Sequence, residues 1–168
     1  EIVFVDYADI TLSWGKSIIA HELQHLLHNA QDPYENLWVD EGNADVAIYL
    51  CFGSDSNLVS HLNQWTESPE LSIRWWNQRF ADYGAGFIFT MYLADHLGGG
   101  PAVRQLVQDS ATGGLGVENL ALSPVSGQSG KIGRTMGEIF ANFSIAATLD
   151  SDQGIYGFSN LVLNPSCG

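Results

Sequence analysis

The 168-residue sequence predicts a helix-dominated α+β chain with a short or truncated N-terminal sheet. Three observations predict it. Long segments carry apolar residues at helical spacing, whereas strand-like segments are few and lie near the start. Hydrophobic residues make up 45% of the chain and aromatics 11%, enough for a core and against whole-chain disorder. No repeat or linker divides the sequence, so one domain over 1–168 is expected.

Taken in order, Ile2-Val3-Phe4-Val5 is a short β-rich run, and Ile10–Trp14 alternates as a second extended piece. Ser17 is a candidate cap for a helix from Ile18 to about Asn29, whose apolar positions are Ile18, Ile19, Leu23, Leu26 and Leu27. Asp32-Pro33-Tyr34-Glu35 reads as a turn or a short helix start. A second helix is expected over Val39–Phe52, ended by Gly53. Residues 58–66 and 70–80 are helix candidates, and Tyr83–Leu97 is too long for one strand. Gly98-Gly99-Gly100-Pro101 breaks that helix before another over Ala102–Asp109. Residues 112–133 read as mostly loop, with a short ordered piece near Glu118–Leu122. Thr135-x-x-Glu138 is a capping box opening a helix over Met136–Leu149, and the tail from Asp150 is loop. Further strands are expected upstream of Glu1, so the chain is read as a piece of a longer protein.

Charge removes several function classes. Six basic residues face 19 acidic ones, a formal −13, and the only lysines are Lys16 and Lys131. Phosphate recognition needs clustered Lys and Arg, so nucleic acid is not an expected partner. Anionic membrane surfaces are disfavoured for the same reason, and no apolar run reaches the ~18–20 residues of a membrane span. An acidic, lysine-poor surface fits an extracellular or cell-surface location. Two cysteines make neither a disulfide framework nor a zinc ribbon. Cys51 is expected to be a buried thiol, with a Cys51–Cys167 bridge as the alternative. Trp65, Trp75 and Trp76 are read as aromatics at a core edge. Gly127-Gln-Ser-Gly130-Lys131 departs from the phosphate-loop pattern and is read as plain loop.

The chemistry centres on His21-Glu22-Leu23-Gln24-His25. On a helix, positions i and i+4 share a face, so His21 and His25 can grip one metal ion. Glu22 is turned by about 100° from His21, placed to act as a base without being a ligand. A catalytic zinc needs a third protein ligand and an open position. No glycine and third histidine follow at the spacing another zinc-protease pattern requires. His28 lies a further turn along and is expected to be solvated or behind the ligands. The better third ligand is Glu41, in Trp38-Val39-Asp40-Glu41-Gly42-Asn43-Ala44-Asp45. Asp45 is i+4 from Glu41 and can accept from the N–H of a liganding imidazole. Asp40 is the rival ligand.

These motifs resemble the gluzincin zinc metallopeptidases, the thermolysin-like clan. The Glu41/Asp45 pair is similar to that clan's Glu-x-x-x-Asp ligand helix. More narrowly, Val3-Phe-Val-Asp, Ile18-Ile-Ala-His-Glu-Leu-Gln-His, Trp38-Val-Asp-Glu-Gly and Tyr83-Gly-Ala-Gly-Phe resemble the hyicolysin-type peptidases. The likeness covers about residues 2–100 and, more faintly, the Glu138–Ala147 helix. The Gly-Ala-Met-Glu-Asn signature of the clan's aminopeptidase branch is absent. The resemblance implies a zincin-like core that binds Zn²⁺ and hydrolyses a peptide or protein substrate, with Glu22 as general base. It also implies a Tyr or His donor for the oxyanion beyond the ligand helix. Tyr83 is the first choice, and His96 and His61 are the alternatives. From other classes, a catalytically inactive binding domain and a structural zinc clamp remain as alternatives.

Overall fold

The computed structural model describes residues 12–124, 130–159 and 161. The run at residues 2–5 and Cys167 lie outside them. Among the described residues there are seven α-helices and no strand, so the α+β expectation is corrected to an all-helical architecture. Of the piece Ile10–Trp14 read as extended, Ser13 and Trp14 belong to the first helix, and Ile10 and Thr11 lie outside the described residues. Two-residue periodicity over so short a run is weak evidence against a helix.

The helices are α1 (Ser13–Gln31), α2 (Leu37–Phe52), α3 (Ser56–Thr66), α4 (Phe80–Leu97), α5 (Gly100–Gln108), α6 (Gly114–Leu122) and α7 (Met136–Leu149). The chain divides into two compact units, Glu1–Ile88 and Phe89–Gly168.

In the first unit, α1 and α2 form an antiparallel pair joined by a short turn. The order of their partners shows it: His21 meets Asp45, His25 meets Glu41, and His28 meets Asp40. Asp32 makes the turn by accepting from the Tyr34 backbone N–H at 3.1 Å, and Pro33 bars continuation of α1. Ser17 is not a cap. It is buried inside α1 and donates its hydroxyl to Asp55 at 2.7 Å, while Asp55 caps α3 by accepting from Asn57 N–H. Leu23 and Leu27, two of the apolar positions read at helical spacing, are exposed. The face of α1 turned to α2 carries histidines instead. Burying imidazoles is costly unless each finds a partner, and here the carboxylates of α2 face them.

Residues 70–79 are not helical. Asp82, near the start of α4, gathers that segment by accepting from the backbone N–H groups of Asn77 and Arg79 and from the Arg79 guanidinium. Burial pushes the Asp82 carboxyl up, but the bonds from Arg79 outweigh it and hold it low. Two glycines then bring α4 close. A Cβ on Gly84 would overlap the His61 carbonyl oxygen of α3, and one on Gly86 would lie 3.0 Å from that of Trp38 on α2. These close approaches place Tyr83 between α3 and the α1–α2 pair.

In the second unit, Phe89, Tyr92 and Phe143 pack as an aromatic cluster. The tail after α7 is tied down: Tyr92 donates to the Ile155 carbonyl at 3.0 Å, and Ser159 N–H donates to Asp95 at 2.8 Å. The Thr135/Glu138 capping box forms as expected. The region read as mostly loop contains the full helix α6, whose Glu118 accepts from Met136 N–H at 2.7 Å. Its glycines obscured the apolar run Val117, Leu120 and Ala121, which is buried.

Candidate metal centre

Three ligand atoms converge where α1 faces α2. His21 Nε2 lies 3.1 Å from Glu41 Oε2 and 3.1 Å from His25 Nε2, and His25 Nε2 lies 3.3 Å from the same Glu41 oxygen. Among the described residues this is the one group of three or more His, Cys, Asp or Glu side chains poised to hold a metal. The distances can be tested against zinc chemistry. Zn–N and Zn–O bonds of about 2.0–2.1 Å put tetrahedral ligands about 3.3–3.4 Å apart. The observed triangle fits that edge closely.

The nitrogens that face away from the triangle both lie against carboxylates of α2. His21 Nδ1–H donates to Asp45 Oδ1 at 3.0 Å, which leaves the Nε2 lone pair for a metal. His25 Nδ1 sits 3.0 Å from Asp40 Oδ2, a close charge contact with the N–H off the line. Each carboxylate is shared with an outer histidine. His61 Nδ1–H on α3 donates to Asp45 Oδ2 at 2.7 Å, and His28 Nδ1 lies 2.9 Å from Asp40 Oδ1. Asp45 is 0% exposed, and His28, expected to be solvated or behind the ligands, is only 1% exposed. Thus Asp40, the rival ligand, is engaged by two histidines away from the triangle.

Electrostatics in the absence of metal follow from the same contacts. Burial pushes the His21 imidazole down, but hydrogen bonds to Asp45 and Glu41 lift it to about 9. Burial likewise opposes His25, yet Asp40 and Glu41 lift it to about 10. Burial pushes both Glu41 and Asp40 up, while the histidines facing them hold each below the ordinary carboxylate range.

Glu22 is half-buried on α1, and its charge is felt at the Tyr83 phenol. Tyr83 packs its ring 6.3 Å from that of His21, 5.0 Å from His61 and 4.9 Å from Trp76. Burial first, then the carboxylates of Glu41, Asp45, Glu22 and Asp82, push its phenol pKa up. A phenol so placed stays protonated at neutral pH and is able to donate. His61 is beside Tyr83, but its Nδ1 is committed to Asp45. His96 belongs to the second unit, where its Nε2–H donates to the Gly157 carbonyl at 3.1 Å.

Sequence reasoning missed the contacts of His61 with Asp45 and of Asp40 with His25 and His28, and it left His28 either solvated or behind the candidate ligands. For His28 and Asp40 a signal existed: His28 is i+3 from His25, and Asp40 adjoins Glu41. For His61 there was none, since only the packing of α3 brings it to Asp45. Cys51, expected to be buried, is exposed and free.

No protein-family model matches this chain, and no curated protein matches it. No helix among the described residues is long and apolar enough to cross a membrane.

Proposed function

We propose that this chain is a zinc-dependent peptidase of endopeptidase type, related to the gluzincins its motifs resemble. The observation that carries the reading is the His21/His25/Glu41 triangle, with His21 Nδ1 bonded to Asp45 and His25 Nδ1 in charge contact with Asp40. Three protein ligands rather than four are what a catalytic zinc requires, because one position must stay open. When bound there, zinc acts as a Lewis acid and lowers the pKa of water toward neutrality.

The chain's own groups do the rest. Glu22, next to His21 in sequence and offset from it by about 100° around α1, would accept the proton of the attacking water. It then returns that proton to the leaving amide nitrogen. Tyr83 donates its hydroxyl to the oxyanion that develops on the peptide carbonyl. Asp45 and Asp40 keep the two imidazoles in the orientation that presents Nε2.

The test is direct. Zinc-loaded protein is expected to hydrolyse casein with about one zinc per chain by elemental analysis, and Glu22→Gln is expected to retain zinc while losing turnover. Stoichiometric zinc with no hydrolysis of casein or of a random peptide library by the intact protein would refute the reading.

A further inference from the structure

Two histidines stand behind the candidate ligands, and only one of them is aligned to hold its carboxylate. His28 Nδ1 lies 2.9 Å from Asp40 Oδ1 with its N–H off the line. His61 Nδ1–H points at Asp45 Oδ2 at 2.7 Å, the short end of the range for an N–H on a carboxylate. The other oxygen of Asp45 accepts from His21 Nδ1–H at 3.0 Å. Asp45 is 0% exposed, so each of its oxygens depends on the one imidazole in front of it. We propose that His61 is a positioning residue of the metal centre: it anchors Asp45 so that this carboxylate holds His21 with Nε2 toward the ion. The inference rests on the zinc site of the reading above and not on its peptidase activity.

The packing around His61 fixes it for that task. A Cβ on Gly84 would overlap the His61 carbonyl oxygen, so α4 lies directly on the His61 peptide. The start of α3 is tied to α1, because Ser17 donates its hydroxyl at 2.7 Å to Asp55, the residue that caps α3. Ser17 precedes His21 by four residues on α1, so α3 is moored to the helix face that carries the ligand. The imidazole itself is flanked by the rings of Tyr83 at 5.0 Å and Phe80 at 5.4 Å, which limit its swing. The consequence of losing the His61 donor follows from burial. A carboxylate oxygen without a partner in such a site is costly, so the group turns to find one. Either oxygen that turns takes Oδ1 off the His21 N–H. His21 then loses the bond that keeps its hydrogen on Nδ1 and its lone pair on Nε2.

The experiment separates donor from ring. His61→Phe keeps the ring and removes the N–H, whereas His61→Asn places an amide N–H close to where Nδ1–H stands and removes the ring. Zinc affinity of the full chain is read by chelator competition. The expected result is binding ~10–100-fold weaker in His61→Phe, the scale of outer partners of a ligand, with most of the loss recovered in His61→Asn. A role in packing alone predicts the reverse order. Wild-type affinity in His61→Phe, or His61→Asn no tighter than His61→Phe, overturns the proposal. Nitrogen NMR of the histidine rings in zinc-loaded wild type needs no variant: a hydrogen on His61 Nδ1 is expected, and a ring that carries its hydrogen on Nε2 alone overturns the proposal. Affinity is measured without substrate, so a zinc-binding wild type that hydrolyses nothing overturns the peptidase reading alone. A wild type that binds no zinc overturns the metal centre and this proposal together.

Discussion

Replacing Asp45 by asparagine tests the layer behind the ligands more sharply than removing a ligand does. Asp45 is fully buried and accepts two imidazole N–H groups, from His21 at 3.0 Å and from His61 at 2.7 Å. A carboxylate has two acceptor oxygens, whereas a carboxamide has one acceptor and one donor. The introduced carboxamide can therefore satisfy only one of the two histidines as they stand. The other ring confronts an NH₂ group and must change tautomer or lose its bond. If His21 changes, its Nε2 carries a hydrogen and no longer presents a lone pair to the metal. Changes of this kind behind a ligand cost ~10–100-fold in metal affinity. One buried donor left unsatisfied costs about 1–3 kcal/mol of stability in the metal-free protein. Chelator competition for zinc, thermal melts in chelator and nitrogen NMR of the histidine rings read the three consequences. The double variant Asp45→Asn with His61→Ala should recover part of the affinity, because it removes the competing donor. Unchanged zinc affinity together with an unchanged His21 tautomer in Asp45→Asn would refute the reasoning.

Four further outcomes rest on the same geometry. Glu22→Gln should keep zinc and lose ~10²–10⁴-fold in turnover, the scale of a general base; loss of zinc in a folded variant would assign Glu22 a different role. Tyr83→Phe should lower kcat on the order of 10–10³-fold with KM and zinc content nearly unchanged, as for an interaction made only in the transition state; steady-state kinetics at full rate would remove Tyr83 as donor. Glu41→Ala should abolish stoichiometric zinc by elemental analysis while Asp40→Asn retains it, and the reverse pattern would exchange their places. The metal-free protein should be most stable between about pH 4.5 and 6.5. His21 and His25, raised to about 9 and about 10, contribute stability that is full below about 6.5 and is lost as pH climbs through those values. Asp40 and Glu41, held low, contribute stability present above their ordinary range and lost on acidification. Melts in chelator that stay flat from about pH 5 to 9 would contradict this.

The His21/His25 half of the candidate triangle was legible in the sequence because its spacing is local. His21 and His25 share a face by helical geometry alone, and Glu41 follows after just enough chain to turn and pair. The capping box at Thr135 was legible for the same reason, since its bonds span three residues. Ser13 and Trp14, read as the end of an extended piece, are helical, and the described residues form helices without a strand. Short apolar runs do not separate strand from helix when burial depends on a distant partner. Helix α6 was hidden by glycines whose cost is offset by burial of Val117, Leu120 and Ala121.

The candidate ligands His21 and His25 and the candidate base Glu22 could be named from the chain's order of residues, because a single helical period sets their relation. Their surroundings could not, because these depend on packing. The crossing of α3 over α1 and α2 brings His61 to Asp45, although 16 residues separate them. The antiparallel pairing of α1 with α2 turns Asp40 toward His25 and His28 and leaves Glu41 to the metal position. Close approach of α4 at Gly84 and Gly86 sets Tyr83 against His61 and His21, and the segment gathered by Asp82 brings Trp76 against Tyr83. None of these juxtapositions has a local period. They arise because buried imidazoles and carboxylates must find partners, and only packing among helices distant in sequence supplies them.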